Sequence, residues 1–353
     1  MRIVHINLER TWRGGERQVL YLMEGLRRLG HECHLVARTN DIFISRAREQ
    51  GFPVHVIKKP FVLSGHLFSG FDVVHAHETR GLQVAALWKT FNKKPLIFTR
   101  RVDNPPSGNI LTRLVYSRID SMAAISETIS SVMKMWGFDA SRIKVIYSAI
   151  ETQRYVRQDA ATKLKKRFGS KKVVGCVASL EKRKDHYTLL KAAHLIQRQR
   201  DDVVFVLVGA GDLRADLERE VSLLGLTNVM FEGYQDDPYS YYQVFDVFVM
   251  TSRQEGLGSS ILDAFSYRVP VVATAAGGIP EIIKDHETGL LAEVSNPDKV
   301  ALSIMQMLDD EELRKRCTDS AYVFLMERFT LDRMAQSYEQ MYQEVLRCFS
   351  TLT

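Results

Sequence analysis

Four cysteines in 353 residues, at positions 33, 176, 317 and 348, form no Cys-x-x-Cys pair. That spacing excludes a zinc ribbon or a disulfide-stapled domain and fits reduced, mostly buried thiols of a cytosolic protein. No apolar run approaches the ~18 residues that a membrane span needs. Met1 to Ile6 enters a strand at once and leaves no room for a signal peptide. The protein is expected to be soluble and cytoplasmic. There is no Asp-x-Asp, no low-complexity segment and no short repeat. No aromatic-interleaved basic patch appears either, so nucleic acid is not an expected partner. What is present is ordinary bulk: 45% hydrophobic and 25% charged residues, enough for a normal core in each of two domains. The formal net charge of +6 suits anionic phosphates or an anionic membrane face, and a solvated basic surface equally.

Short β-rich runs alternate with amphipathic helical stretches from end to end. Strands are expected at Ile3 to Asn7, Cys33 to Val36, Val54 to Ile57, Asp72 to His75, Leu96 to Phe98 and Ser121 to Ala124. A second series runs Val173 to Val177, Val203 to Val208, Val229 to Phe231, Asp246 to Met250, Val269 to Ala273 and Gly289 to Ala292. Such alternation implies parallel sheets with helices on both faces, hence two open α/β domains. The polar, weakly periodic stretch Glu151 to Ser170 reads as the joint between them. The last helix, about Thr330 to Phe349, carries Leu331, Met334, Tyr338, Met341, Tyr342 and Val345 on one face and needs a partner surface.

The segment Glu255-Gly256-Leu257-Gly258-Ser259-Ser260-Ile261-Leu262-Asp263 follows an apolar strand and leads into a helix. Ligands bind at such strand ends in open α/β sheets. Gly256 and Gly258 admit a ligand close to the backbone, and the N–H groups around Leu257 to Ser260 can hold an anion such as a phosphate. The carboxylates of Glu255 and Asp263 are acceptors that suit hydroxyl donors, which means sugars. An anion seat flanked by two hydroxyl acceptors describes a nucleotide-sugar site.

Other segments fit around it. Arg13-Gly14-Gly15-Glu16 is a second glycine loop feeding a helix, although a tight turn without ligand would use the same residues. In Asp72-Val73-Val74-His75-Ala76-His77-Glu78, period two puts both histidines on one face, so both cannot simply be core. The strand-end position favours His77 as functional, and a metal reading is weak because only Glu78 adds to the set. Arg100 and Arg101 leave another strand and can fork onto an acceptor's phosphate or carboxylate, or pair with Asp103. Lys182, Arg183 and Lys184 follow the strand ending at Val177 and suit a diphosphate, or form a solvated turn. Gly209-Ala210-Gly211 is a close-approach turn, and Tyr234 can flank a base.

The ordered set resembles the retaining glycosyltransferases of family 4. The matching pieces are Gly14-Gly15-Glu16, His75-Ala76-His77, Lys184, Gly209-Ala210-Gly211, Ser252 to Gly258, Gly277-Gly278-Ile279-Pro280-Glu281 and Thr288 to Leu291. The resemblance implies a GT-B fold: two Rossmann-like doubly wound domains, 1–155 for the acceptor and 156–330 for the nucleotide-sugar donor, facing across a cleft. Residues 331–353 would be a helix bracing the first domain. It implies His77, Lys184 and Glu255 in catalysis. Donor contacts would come from Gly15, Ser179, Arg183, Lys184, Gly211, Tyr234, Glu255, Gly256, Leu257, Gly258, Ser259 and Asp263, and acceptor contacts from Arg13, Arg100 and Arg101. No metal and no cofactor are required beyond the donor itself. Two positions depart from the family pattern. The second acidic residue is Asp263 where glutamate is usual, and Ser179 replaces the arginine that normally accompanies the lysine. The expected partners are a nucleotide-sugar donor and an anionic glycan or lipid-linked acceptor of cell-envelope or lipopolysaccharide synthesis, with peripheral contact at the inner membrane face. A catalytically silent nucleotide-sugar-binding module, or an epimerase or phosphorylase on the same fold, are the competing readings. A phosphorylase would need a lysine-linked cofactor site that these motifs do not suggest.

Overall fold

The computed structural model describes residues 1–10, 12–38, 42–91, 94–151 and 158–350. The chain divides into two compact units, one made of Met1–Glu151 with Phe329–Thr353 and the other of Thr152–Arg328. The expected boundary between 155 and 156 lies outside the described residues.

In the first unit the order is β1 (Arg2–Ile6), α1 (Gly14–Arg28), β2 (Glu32–Arg38), α2 (Ile42–Glu49), β3 (Val54–Ile57), a 3-10 segment (Phe61–Phe68), β4 (Val73–Ala76), α3 (Thr79–Lys89), β5 (Leu96–Arg100), α4 (Ile110–Ser117), β6 (Ser121–Ala124), α5 (Glu127–Trp136) and β7 (Ile143–Val145). The strands form one parallel sheet in the order β3-β2-β1-β4-β5-β6-β7. Strand β7 has no counterpart among the expected ones, because three residues at a sheet edge are too few for alternation to register. Helix α1 buries Val19, Leu20, Leu22, Met23 and Leu26. It stops where Gly30 turns left-handed and the N–H of His31 returns to the Leu26 carbonyl at 3.0 Å.

In the second unit α6 (Gln158–Phe168), β8 (Lys172–Val177), α7 (His186–Gln197), β9 (Val203–Val208), α8 (Arg214–Leu223), β10 (Val229–Gly233), α9 (Tyr239–Tyr242), β11 (Val247–Met250), α10 (Ser259–Ser266), β12 (Val271–Thr274), α11 (Ile279–Ile282), β13 (Leu290–Ala292), α12 (Pro297–Asp309) and α13 (Glu311–Arg328) follow in order. Its sheet is also parallel, β10-β9-β8-β11-β12-β13. The stretch expected as a joint, Glu151 to Ser170, is therefore largely helix. Helix α6 buries only Ala161 and Phe168, which is why its period is faint in the sequence.

The final helix, α14 (Leu331–Ser350), belongs to the first unit. Its apolar face, Leu331, Met334, Tyr338, Met341, Tyr342 and Val345, is buried, most of it in one core with Val19, Met23 and Leu26 of α1. At about 1.5–3 kcal/mol per fully buried large apolar side chain, this contact outweighs anything the helix gains from its own propensity. Cys33, Cys176 and Cys317 are buried free thiols and Cys348 is an exposed one. Among the described residues no helix is long and apolar enough to cross a membrane.

Candidate functional site

In each sheet the strand order reverses once, between β1 and β4 in the first unit and between β8 and β11 in the second. At a reversal the helices of the two neighbouring strands leave to opposite faces, so a crevice opens at the strand ends. The loops after β8 and β11 are Ala178–Asp185 and Thr251–Gly258, and these carry Lys184 and Glu255.

Backbone and side chains fasten the two loops together. The Arg183 carbonyl accepts the N–H of Arg253 at 2.8 Å, and the Thr251 hydroxyl donates to the Asp185 carbonyl at 3.0 Å. The buried Asp185 carboxylate receives Arg253 Nε at 2.7 Å, the Thr188 hydroxyl at 2.7 Å and the Ser295 hydroxyl at 3.3 Å. With the loops held this way, Lys184 Nζ donates to Glu255 Oε2, and Ser252 Oγ donates to the same oxygen at 3.3 Å. Both members of the ion pair are nearly covered, each side chain about 10% exposed. Asp185, Thr251 and Arg253 are functional supports that the sequence did not disclose. Arg253 sits in a conspicuous motif, yet its partner lies 68 positions away.

A third loop closes on the second. A Cβ at Gly277 would lie 2.0 Å from the Glu255 carbonyl oxygen, and one at Gly278 would lie 2.3 Å from that of Gly256. The Gly278 N–H donates to the Glu255 carbonyl at 2.9 Å. The Gly-Gly pair is thus needed to let two backbones touch. Gly211 has the same kind of reason: its Cβ would meet the Leu180 carbonyl oxygen at 2.4 Å. It supports the loop after β8 through backbone packing.

Helix α10 begins at Gly258, which is left-handed with φ of 96°, so the chain turns abruptly from Leu257 into Ser259. The N–H groups of Ser259 and Ser260 lie in the first turn, where no intrahelical acceptor exists. Glu255, Gly256, Leu257 and Gly258 are buried, Ser259 is half-buried, and Asp263 is buried one turn further along α10. The remaining expected donor contacts differ in setting. Ser179 is half-buried in the loop after β8. Arg183 is exposed and pairs with Glu181 at 3.0 Å, so it does not join the Lys184–Glu255 pair. Tyr234 is half exposed and its hydroxyl reaches Asp236 at 3.1 Å.

In the first unit, His5 on β1 is the lateral neighbour of His75 on β4. Both histidines of the His-Ala-His segment are buried, contrary to the expectation that one must leave the core. His75 is a satisfied core residue: Nδ1 meets the Tyr342 hydroxyl at 2.7 Å and Nε2 the Thr99 hydroxyl at 2.7 Å. His77 Nε2 lies 3.0 Å from His5 Nδ1, and its Nδ1 lies 3.3 Å from Arg101 Nη2. Burial holds all three imidazoles neutral, with His5 pushed down to about 3 and His75 and His77 well below the usual range. Their ring nitrogens fall within 4.8 Å of one another, the donor set of a metal site. The hydrogen bonds just described already occupy His75 and His77, and a guanidinium touches the cluster. Glu78 is not a fourth ligand, because its carboxylate caps α3 and accepts the Leu8 N–H at 3.0 Å.

The two adjacent arginines part ways. Arg100 is buried and spends its guanidinium on the Tyr116 hydroxyl at 2.8 Å and on the Asn104 carbonyl. These protein oxygens take Nη1 and Nη2, while Nε is buried without a partner among the described residues. Arg13 is exposed, and its N–H donates to the Glu16 carboxylate at 2.9 Å. Around Gly15 there is room: a Cβ would meet only Arg101 Cδ, at 3.7 Å.

Residues 12–154 match the model described as glycosyltransferase family 4, and residues 158–324 the model described as glycosyl transferases group 1. A lipopolysaccharide core biosynthesis glycosyltransferase, LpsE, of Rhizobium meliloti is 30% identical over 66% of this chain and 67% of its own length. The chain belongs to glycosyltransferase family 4. The N-acetyl-alpha-D-glucosaminyl L-malate synthase of Bacillus anthracis is also 30% identical, over 69% of this chain, and the match spans 64% of that relative's length. The crystal structure of Anabaena HepE in complex with UDP and glucose aligns with a TM-score of 0.89 at 20% identity, covering 97% of this chain and 99% of that one. With two parallel α/β sheets, this family member has the two-domain GT-B fold, and α14 completes the first domain.

Proposed function

We propose that the protein transfers a sugar from a nucleotide diphosphate sugar to an anionic glycan or lipid-linked acceptor, retaining the anomeric configuration and using no bound metal. The observation that carries this is the covered Lys184–Glu255 pair beside the first turn of α10. Without substrate each charge neutralises the other. A donor offers both a better partner: the diphosphate takes the lysine and the helix N–H groups, and a sugar hydroxyl donates to the freed carboxylate. As the glycosidic bond breaks, negative charge grows on the diphosphate, so Lys184 and the N–H groups bind the transition state more tightly than the ground state. That supplies the stabilisation a metal would otherwise provide. Asp263, one helical turn on, takes ribose hydroxyls, and Ser179 and Tyr234 contribute to the donor's surroundings. The HepE complex supports UDP as the nucleotide, and the LpsE name supports a cell-envelope acceptor.

Incubation with a panel of nucleotide sugars is expected to release nucleoside diphosphate, insensitive to chelator, and proton NMR of the product should show the donor's anomeric configuration. Binding of donors with no turnover beside a suitable acceptor would favour the silent module that Asp263 and Ser179 permit.

A lipid-linked acceptor requires access to a bilayer. Helix α4 exposes Ile110 (80%), Leu111 (71%) and Leu114, while Arg113 of the same helix stacks its guanidinium 5.1 Å from the Trp136 ring. Apolar side chains beside a cation suit an anionic membrane surface. Sedimentation with anionic vesicles at low salt should therefore co-pellet the protein. The double variant Ile110→Ser, Leu111→Ser should stay in the supernatant; equal pelleting of both proteins would remove α4 from membrane contact.

A further inference from the structure

Among the described residues Arg101 is a partly buried cation whose charge is not matched by an ion pair. There its one hydrogen bond is from Nη2 to His77 Nδ1, and its Nε is buried without a partner. Glu16 is the acid close enough to exert a field on it. Yet the Glu16 carboxylate is turned away, accepting the N–H of Arg13 at 2.9 Å and the Asn7 amide at 3.4 Å. The neighbouring Arg100 places Nη1 and Nη2 on protein oxygens while its Nε is likewise buried without a partner, so the two differ in whether the terminal nitrogens are met by protein oxygens. Removing a guanidinium from water without a counter-charge is unfavourable unless a ligand supplies one. The stem of Arg101 lies against Gly15, at the open start of α1.

We infer that Arg101 is a specificity residue that receives a carboxylate or phosphate of a bound substrate, and that His77 is the positioning residue that aims it. This rests on the proposed glycosyl transfer. The tautomers follow from the donors. A guanidinium only donates, so His77 Nδ1 accepts and the His77 proton sits on Nε2, from which it is donated to His5 Nδ1. With both nitrogens committed, His77 is no general base. Protonating its Nδ1 would turn an acceptor into a donor facing the guanidinium, and burial opposes that protonation. The planar fork of Arg101 keeps its remaining N–H groups for two oxygens of one anion.

Calorimetric titration of the full chain with inorganic phosphate, L-malate and UDP tests the seat, with thermal melting to confirm that each variant is folded. Arg101→Gln is expected to weaken phosphate and malate binding by about tenfold or more, the loss that follows removal of a charge-assisted hydrogen bond. If UDP binding survives in that variant, the anion belongs to the acceptor. If UDP binding falls in parallel, the seat takes the donor's diphosphate. His77→Phe should weaken phosphate binding similarly, and His77→Gln, which keeps an acceptor, should restore it. Arg101→Gln binding all three ligands like the wild type would overturn the seat, and His77→Phe binding phosphate normally would overturn the positioning role. Wild-type protein that binds phosphate through Arg101 yet releases no nucleoside diphosphate from any nucleotide sugar would leave the seat standing and defeat the transferase reading alone.

Discussion

Lys184→Ala is expected to lower kcat by roughly 10²- to 10³-fold, the usual loss when one preorganised transition-state donor is removed. Two consequences of the substitution act together. The departing diphosphate loses its cation, and Glu255, covered by protein, loses its counter-charge. Lys184→Arg keeps the charge but changes its reach, and should recover only part of the rate. The loop itself should survive in both, since Arg253, Thr251 and Asp185 hold it independently of the lysine side chain. Single-turnover assays with a competent donor decide the matter: a Lys184→Ala rate within a few fold of wild type would remove Lys184 from the chemistry.

Gly277→Ala should be strongly damaging although it alters no charged side chain. The added methyl would sit 2.0 Å from the Glu255 carbonyl oxygen, on a residue with φ of +52°. Forced displacement of one backbone by another, with left-handed strain added, costs roughly 2–4 kcal/mol. For a folding unit of this size that corresponds to a melting point lower by roughly 5–15 °C. The carbonyl that moves is that of the proposed catalytic glutamate, so activity should fall further than stability alone explains. Gly225→Ala is the control. Gly225 also has positive φ, +61°, but a Cβ there meets nothing within 4 Å, so about 1 kcal/mol of backbone strain is all it should cost. Equal melting points for the two variants would show that the contact between loops is soft.

Much of the fold was legible because both sheets are parallel and buried. Most of their strands are short apolar-rich runs, and strand–helix alternation left little else to build. The boundaries of α6 and β7 were not legible, since one buries few positions and the other is a three-residue edge. The site was legible where a residue type is costly to place at random: Glu255 in a glycine loop, Lys184 at a strand exit. It was not legible where a common residue acquires its role from a distant partner, as Asp185 does from Arg253 and Ser295. His75 and His77 mark the same limit, for alternation puts both on one face without saying that α14 covers it with Tyr338 and Tyr342. Arg100 and Arg101 are the sharpest case: two identical side chains in succession, one with its terminal nitrogens on Tyr116 and Asn104, the other with a single bond to His77.

By itself, then, the sequence determined the family, the two α/β units and the two loops in which the donor chemistry is proposed, because apolar period and glycine placement are local properties of a chain. Only the tertiary structure decided which charges find a partner within the fold. That depends on what the fold brings to each side chain from far along the chain, and no local pattern records it.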